Sequence, residues 1–195
     1  MLAHAADELE ASAGSGVQTP AFAQVYEEYF SFVWRSARRL GAPDSILDDV
    51  VQEIFVVAYR RLRGFEGRSS MKTWLFGIVL NVVRAHRRTL RAKHPHMLSG
   101  ERVVDLESLA DGSSSPQEVA MRAEATRLVD GFLDELDDDK RAVFVLAELE
   151  QMGAPEIAGA LGVPLNTVYS RLRLARLEFA AATARYRARD EWRTR

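Results

Sequence analysis

An all-α protein, built as two small helical domains joined by a flexible linker, is the architecture this sequence predicts. Apolar residues recur at helical spacing almost throughout, and no stretch shows convincing strand alternation. Pro, Gly and Ser gather in "HPHMLSGERVVDLESLADGSSSP" (94–116), which has no sustained period and reads as the linker. The 195 residues alone allow one medium domain or two small ones, and this break selects two.

The first domain is expected over residues 21–93. A helix around "FAQVYEEYFSFVWRSARRLG" closes at Gly41, a residue suited to a helix terminus. A second helix starts near Asp44, a good N-cap, and runs to about Leu62. After the turn "GFEGRSS", a third is expected from about Met71 to Arg91, with Ser69 or Ser70 as its cap. The second domain covers residues 117–187, with a helix-turn-helix at 155–180 and a tail at 188–195. Residues 1–20 are acidic and lack the basic start and apolar core of a signal peptide, so they read as a disordered lead-in.

Composition narrows the chemistry. Hydrophobic residues make up 47% and charged residues 28%, which suits a soluble protein able to bury a core. There is no cysteine, which excludes disulfides, thiolate metal sites and a cysteine nucleophile. The apolar run "WLFGIVLNVV" is too short to span a bilayer and is interrupted by Asn81, so no membrane insertion and a cytoplasmic location are expected. The net charge of −2 hides a segregation. Acid gathers in Asp134–Asp139 and along Asp44–Glu53; base gathers in Arg84–Lys93 and from Arg171 onward. Each block is read either as a solvated helix face or as a surface for a partner of opposite charge.

The helix-turn-helix is read from "APEIAGALGVPLNTVYSRLRLARLEF". Pro155 suits a first helical turn, Gly162-Val163-Pro164 stops that helix, and Asn166 or Thr167 caps the next. At 100° per residue Val168, Leu172, Ala175 and Phe179 share one face. Ser170 and Arg173 lie opposite, with Tyr169 and Arg171 on the flanks. A helix packed on one face and offering Arg, Ser and Tyr on the other suits DNA, because Arg fits guanine edges and phosphates. An ordinary helical hairpin with a basic face is the alternative.

Two further patterns lie in the first domain. The third helix is apolar nearly all round until Asn81; beyond it Arg84, Arg87 and Arg91 share a face, with Arg88 close by, and could track phosphates. The preceding loop combines an aromatic with hydroxyls, as an unstacked base would require. On the second helix Leu47, Val50, Val51, Ile54 and Ala58 form the buried stripe. Phe55, Val56 and Tyr59 then fall on the other side among Asp48, Asp49 and Gln52, which suits either a protein partner or a neighbouring helix. Catalytic signals are poor. His94 and His96 form a close pair without a third ligand, so no metal is expected, and with neither a glycine-rich phosphate loop nor a nucleophile elbow no cofactor and no enzymatic role are expected.

These pieces occur together in one family. "DDVVQEIFVVAYRRLRGFEG…WLFGIVLNVVRAHRR" resembles region 2 of bacterial extracytoplasmic-function (ECF) sigma factors, and "LDELDDDKRAVFVLAELEQMGAPEIAGALGVPLNTVYSRLRLAR" resembles their region 4. The resemblance implies a factor that joins core RNA polymerase and directs initiation at promoter DNA. It places Asp48, Asp49, Gln52, Glu53 and Val56 on the polymerase clamp. It places Ser69, Asn81, Arg84, Arg87 and Arg88 at the −10 element, with loop 64–70 holding a flipped base. It places Asn166, Thr167, Tyr169, Ser170, Arg171 and Arg173 at the −35 element. Family members are commonly held by an anti-sigma protein, a further partner the resemblance allows. The family often has basic residues where Tyr169 and Leu174 stand and an acidic one at Ala85. A helix-turn-helix regulator that does not join polymerase would account for the C-terminal half alone, and a protein-only adaptor would leave the arginine faces unexplained.

Overall fold

The computed structural model describes residues 20–93 and 115–193. The expected linker and the expected N-terminal lead-in therefore lie almost wholly outside the described residues, as do His94 and His96. All regular elements among the described residues are helices.

The N-terminal half contains α1 (Phe22–Arg39), α2 (Leu47–Leu62) and α3 (Met71–Lys93). Helix α1 stops because Gly41 takes φ +96°, which lets the Ala42 amide turn back to the Ala37 carbonyl at 3.1 Å. Asp44 does not cap α2 as expected. It opens a single 3-10 turn, Asp44–Ile46, because its carboxylate is drawn to Arg38 at 3.2 Å, and α2 begins only at Leu47. Ser70 does cap α3, its hydroxyl accepting from the Thr73 amide at 3.1 Å. Val33, Val50, Ile54, Leu75, Phe76 and Val79 are completely enclosed between these helices. Each such side chain contributes roughly 1.5–3 kcal/mol of transfer free energy.

The C-terminal half contains α4 (Pro116–Glu135), α5 (Asp138–Phe144), α6 (Ala154–Leu161) and α7 (Leu165–Arg193). Ser115 and Glu118 cap α4 reciprocally, and Asp137 caps α5 by accepting from Asp139 and Lys140 amides at 3.1 and 2.8 Å. Helix α5 widens into a π-turn, Val145–Leu149, a feature with no counterpart in the apolar spacing. Gly162 ends α6 at φ +63°. Asn166 and Thr167 do not cap α7: Leu165 is already helical, and the Thr167 amide bonds the Pro164 carbonyl at 2.9 Å. Residues 188–193 of the expected tail are helical as well, since residues 180–193 contain neither Gly nor Pro and α7 runs through to Arg193. Phe132, Phe144 and Phe179 pack ring on ring, with centroids 5.0–5.5 Å apart, and tie α4, α5 and α7 together.

The halves are not independent bodies. Helix α3 packs on α6, and one apolar core runs through both halves. The two helices come close at Gly77, where a Cβ would lie at an ordinary contact distance, 3.6 Å, from the Ala160 carbonyl oxygen. This is why α3 is apolar nearly all round; it is covered by α1, α2 and α6 together.

Candidate nucleic-acid interface

The helix-turn-helix of α6, the Gly162–Pro164 turn and α7 is present, and its packing follows the spacing. Val168, Leu172 and Ala175 are buried against the rest of the half, with Phe179 partly so. Asn166, Tyr169, Ser170 and Arg173 are exposed on the outer side. The Ser170 hydroxyl donates to the Thr167 backbone carbonyl at 3.0 Å, which fixes the Ser170 side chain in the first turns of α7. Arg171, on the flank, points differently. Its guanidinium is held by a carboxylate oxygen of Asp139, at the start of α5. Leu174 and Leu177 extend the exposed face with apolar surface.

The basic end of α3 is divided in the same way. Asn81 and Arg88 are exposed. Arg84 reaches the other oxygen of Asp139 at 2.6 Å. Arg87 is buried, against the expectation of an open basic face. It donates to the Leu40 carbonyl at 2.7 Å and pairs with Asp138 at 3.1 Å. Arg91 also approaches Asp138, at 3.5 Å. Helical spacing put Arg84, Arg87 and Arg91 on one face correctly; what it left out is the acidic turn lying across that face.

Before α3, Gly64, Phe65, Glu66, Arg68, Ser69 and Trp74 surround a shallow hollow of about 270 Å³. The Phe65 and Trp74 rings stand 5.4 Å apart at 59°, offering an aromatic wall, and Ser69 is exposed at its rim. A planar base is the kind of ligand such a wall accepts.

Elsewhere on the N-terminal half, α1 and α2 form an aromatic groove of about 710 Å³. Phe22, Tyr26, Phe30, Phe55 and Tyr59 line it, with Asp48, Gln52 and Val56 at its edge. Val56 and Tyr59 remain 41% and 60% exposed, whereas Phe55 is buried by α1, so the two readings of this face each hold for part of it. Asp49 is exposed beside it. Glu53 points elsewhere, to His86 Nε2 of α3 at 2.6 Å. An acidic rim around exposed aromatic surface suits a basic, partly apolar protein partner.

Residues that the sequence reading missed hold the two halves together. Glu150 is almost fully enclosed and accepts both Arg39 and Lys72; Arg141 and Arg87 converge on the Leu40 carbonyl; Arg38 pairs with Asp130 at 3.4 Å. The run "DELDDDK" was visible as an acid block, but no local pattern announces which distant arginines it meets. No group of three His, Cys, Asp or Glu suited to a metal stands together among the described residues, and no helix there is long and apolar enough to cross a membrane.

Comparison with known proteins agrees with this geometry. The family model for Sigma-70 region 2 matches residues 25–93, and that for Sigma-70, region 4 matches residues 126–179. The RNA polymerase sigma factor CnrH of Cupriavidus metallidurans is 36% identical over 177 residues, covering 89% of this chain and 91% of CnrH. The ECF RNA polymerase sigma-E factor of Escherichia coli K12 is 31% identical over 139 residues, covering 69% and 72% of the two chains. The solved structure of CnrH in complex with the cytosolic domain of CnrY superposes with a TM-score of 0.61 at 29% identity, covering 84% of this chain and 87% of that one. The two regions stand in order in one all-helical chain, each with its own exposed surface, and the chain belongs to the ECF group of the sigma-70 family of RNA polymerase sigma factors.

Proposed function

We propose that this chain acts in the bacterial cytoplasm as a non-enzymatic initiation factor, joining core RNA polymerase and directing it to a specific class of promoter. The observation that carries the reading is the pairing of regions 2 and 4 in one chain, with an acid-rimmed aromatic groove on the first and a helix-turn-helix on the second. The groove with Asp48, Asp49, Gln52 and Val56 docks on polymerase, and Glu53, paired with His86 of α3, belongs to the same docking helix. Loop 64–70 with Asn81, Arg84, Arg87 and Arg88 serves the −10 element, the Phe65–Trp74 hollow taking an unstacked base. Asn166, Thr167, Tyr169, Ser170, Arg171 and Arg173 serve the −35 element as duplex. CnrH has been seen with the cytosolic domain of CnrY, and on that likeness an anti-sigma protein is a further partner of this chain.

The test is run-off transcription by core enzyme with and without the chain, on genomic fragments selected by the reconstituted complex. Asp48→Arg with Gln52→Ala should abolish co-purification with core polymerase while circular dichroism stays unchanged. Arg173→Ala should lose about 1–3 kcal/mol of discrimination at one base position of the upstream element. Tight, sequence-specific duplex binding by the chain without polymerase would replace this reading with that of a simple helix-turn-helix regulator.

A further inference from the structure

We propose that the cleft between α1 and α4 is a binding site for a small planar aromatic monoanion, an aromatic carboxylate being the simplest. The cleft holds about 620 Å³, within the range of about 300–1,000 Å³ usual for small-molecule sites. It lies where the two halves meet, a frequent setting for such sites. Helical spacing builds its walls. Phe30, Trp34 and Arg38 recur every fourth residue along α1, and Thr126, Val129 and Asp130 share one face of α4. Leu149, the last residue of the π-turn, lines it as well. Apart from Asp130, α4 contributes only short side chains, so nothing on that helix fills the space. Except for Phe30, none of these residues lines the α1–α2 groove or the base hollow.

Charge selects the ligand. Arg38 is already taken by Asp44 at 3.2 Å and Asp130 at 3.4 Å, and Arg39 by Glu150 at 2.8 Å. Arg35, exposed on the lining, forms no ion pair among the described residues. Its field is felt next door: burial lowers the Arg39 guanidinium, Glu150 raises it, and Arg35 lowers it again. The surplus in the cleft is therefore one positive charge. A carboxylate matches it with one negative charge. A phosphate monoester brings nearly two at neutral pH, and Asp130 would repel the second. The body of the ligand is set by the walls. Phe30 and Trp34 offer flat apolar surface, and Arg38, 6.0 Å from the Trp34 ring centre, helps hold that ring in place.

Such a ligand touches α1 from one half and α4 with Leu149 from the other. It binds only the assembled chain and stabilises it by mass action. Phe30 is shared with the α1–α2 groove, where its ring lies parallel to Phe55 with centroids 6.2 Å apart. An aromatic probe has to be assigned to the cleft rather than to that groove.

The tryptophans make the assignment, since Trp34 lines the cleft and Trp74 the base hollow. In the nitrogen-15-labelled full-length chain, Trp34→Phe and Trp74→Phe identify their indole N–H signals. 2-Naphthoate should move the Trp34 signal and leave that of Trp74, with a dissociation constant on the order of 0.1 mM for a fragment of this size. It should also raise the unfolding temperature. 2-Naphthamide, the same ring without the charge, should bind about threefold to fivefold more weakly, and Arg35→Gln should weaken naphthoate by as much. 2-Naphthyl phosphate should bind no more tightly than naphthoate. Ala125→Phe, at an exposed position of α4 on the cleft wall, should abolish the Trp34 shift with the other signals in place; Val56→Arg, in the groove, should preserve it. Naphthamide binding as tightly as naphthoate, or a shift that survives Ala125→Phe or is lost in Val56→Arg, overturns the proposal. Failure of all three probes to bind overturns it too, and leaves the cleft to a side chain of a protein partner.

Discussion

Arg39 at the end of α1 donates to Glu150 at 2.8 Å, although 111 residues separate them in the chain. Lys72 of α3 shares the same carboxylate at 3.3 Å and also donates to the Glu150 carbonyl at 2.9 Å. The Glu150 side chain is only 4% exposed, so the two cations are what make its burial tolerable. Burial pushes the Arg39 guanidinium below its ordinary value, and Glu150 beside it pulls the other way, so it stays charged.

The asymmetry of that site sets the first prediction. Arg39→Ala or Lys72→Ala leaves Glu150 one cation, and each should cost about 1 kcal/mol. The double variant strands a buried carboxylate and should cost about 3–5 kcal/mol, well beyond the sum of the singles. Urea unfolding of the four proteins gives the coupling directly; additivity within error would mean that Glu150 finds water in place of both partners.

Gly41 is the second case. At φ +96°, any L side chain is strained, and a Cβ would run into the guanidiniums of Arg87 and Arg141 as they converge on the Leu40 carbonyl. Gly41→Ala should therefore cost at least about 1–3 kcal/mol. Gly131, inside α4 with open space around it, is the counterpart; Gly131→Ala should gain about 0.5–1 kcal/mol. Thermal unfolding should move in opposite directions for the two substitutions.

Much of this was legible in the sequence because it is local. The stripe Leu47, Val50, Val51, Ile54 and Ala58, the Ser70 cap and the Gly41 and Gly162 stops follow from spacing and backbone chemistry within a few residues. The exposed row Tyr169, Ser170 and Arg173 was legible for the same reason. The pairs Arg84–Asp139, Arg39–Glu150 and Arg38–Asp130 were not, since each joins residues far apart in the chain and depends on how the two halves meet. Asp44 and Thr167 show the limit in miniature: both are good caps by residue type, yet Arg38 draws off the first and the Pro164 carbonyl already sets the turn of the second. The π-turn at Val145–Leu149 leaves no mark in apolar spacing at all.

Asp137 gives a pH dependence with a definite sign. Burial raises its carboxyl, but amide hydrogen bonds from Lys140 and Asp139 and the Lys140 ammonium outweigh that and hold it below the ordinary carboxylate range. A native value lower than the unfolded one means stability that is present at neutral pH and is lost as pH falls through the native value. Asp137→Ala should cost about 1 kcal/mol at pH 7. That difference should shrink below about pH 4, the ordinary carboxylate range. Asp137→Asn keeps the acceptor and should flatten the dependence while keeping most of the cap. Unfolding free energies of the three proteins across that range decide it; a cost from Asp137→Ala that does not change with pH would show that the carboxylate's charge plays no part.

The last prediction concerns the seam itself. Gly77 on α3 faces the Ala160 carbonyl of α6, and a single added carbon would sit at ordinary contact distance, 3.6 Å. Gly77→Ala should therefore fit and, by favouring helix, stabilise by about 0.5–1 kcal/mol. Gly77→Leu has no such room. Neither helix can bend away without disturbing its own half, because Phe76 and Ile78 on α3 and Ile157 on α6 are buried in the shared core. Separation at the seam is the response left, at the cost of the shared core and of the enclosed Glu150 pairs that span it. In small-angle scattering Gly77→Leu should then raise the radius of gyration, with helical content unchanged by circular dichroism. Urea unfolding should split into two transitions as the halves lose their common surface. A single transition at an unchanged radius would mean that α3 and α6 slide past each other to admit the side chain, and that the approach at Gly77 does not set their spacing.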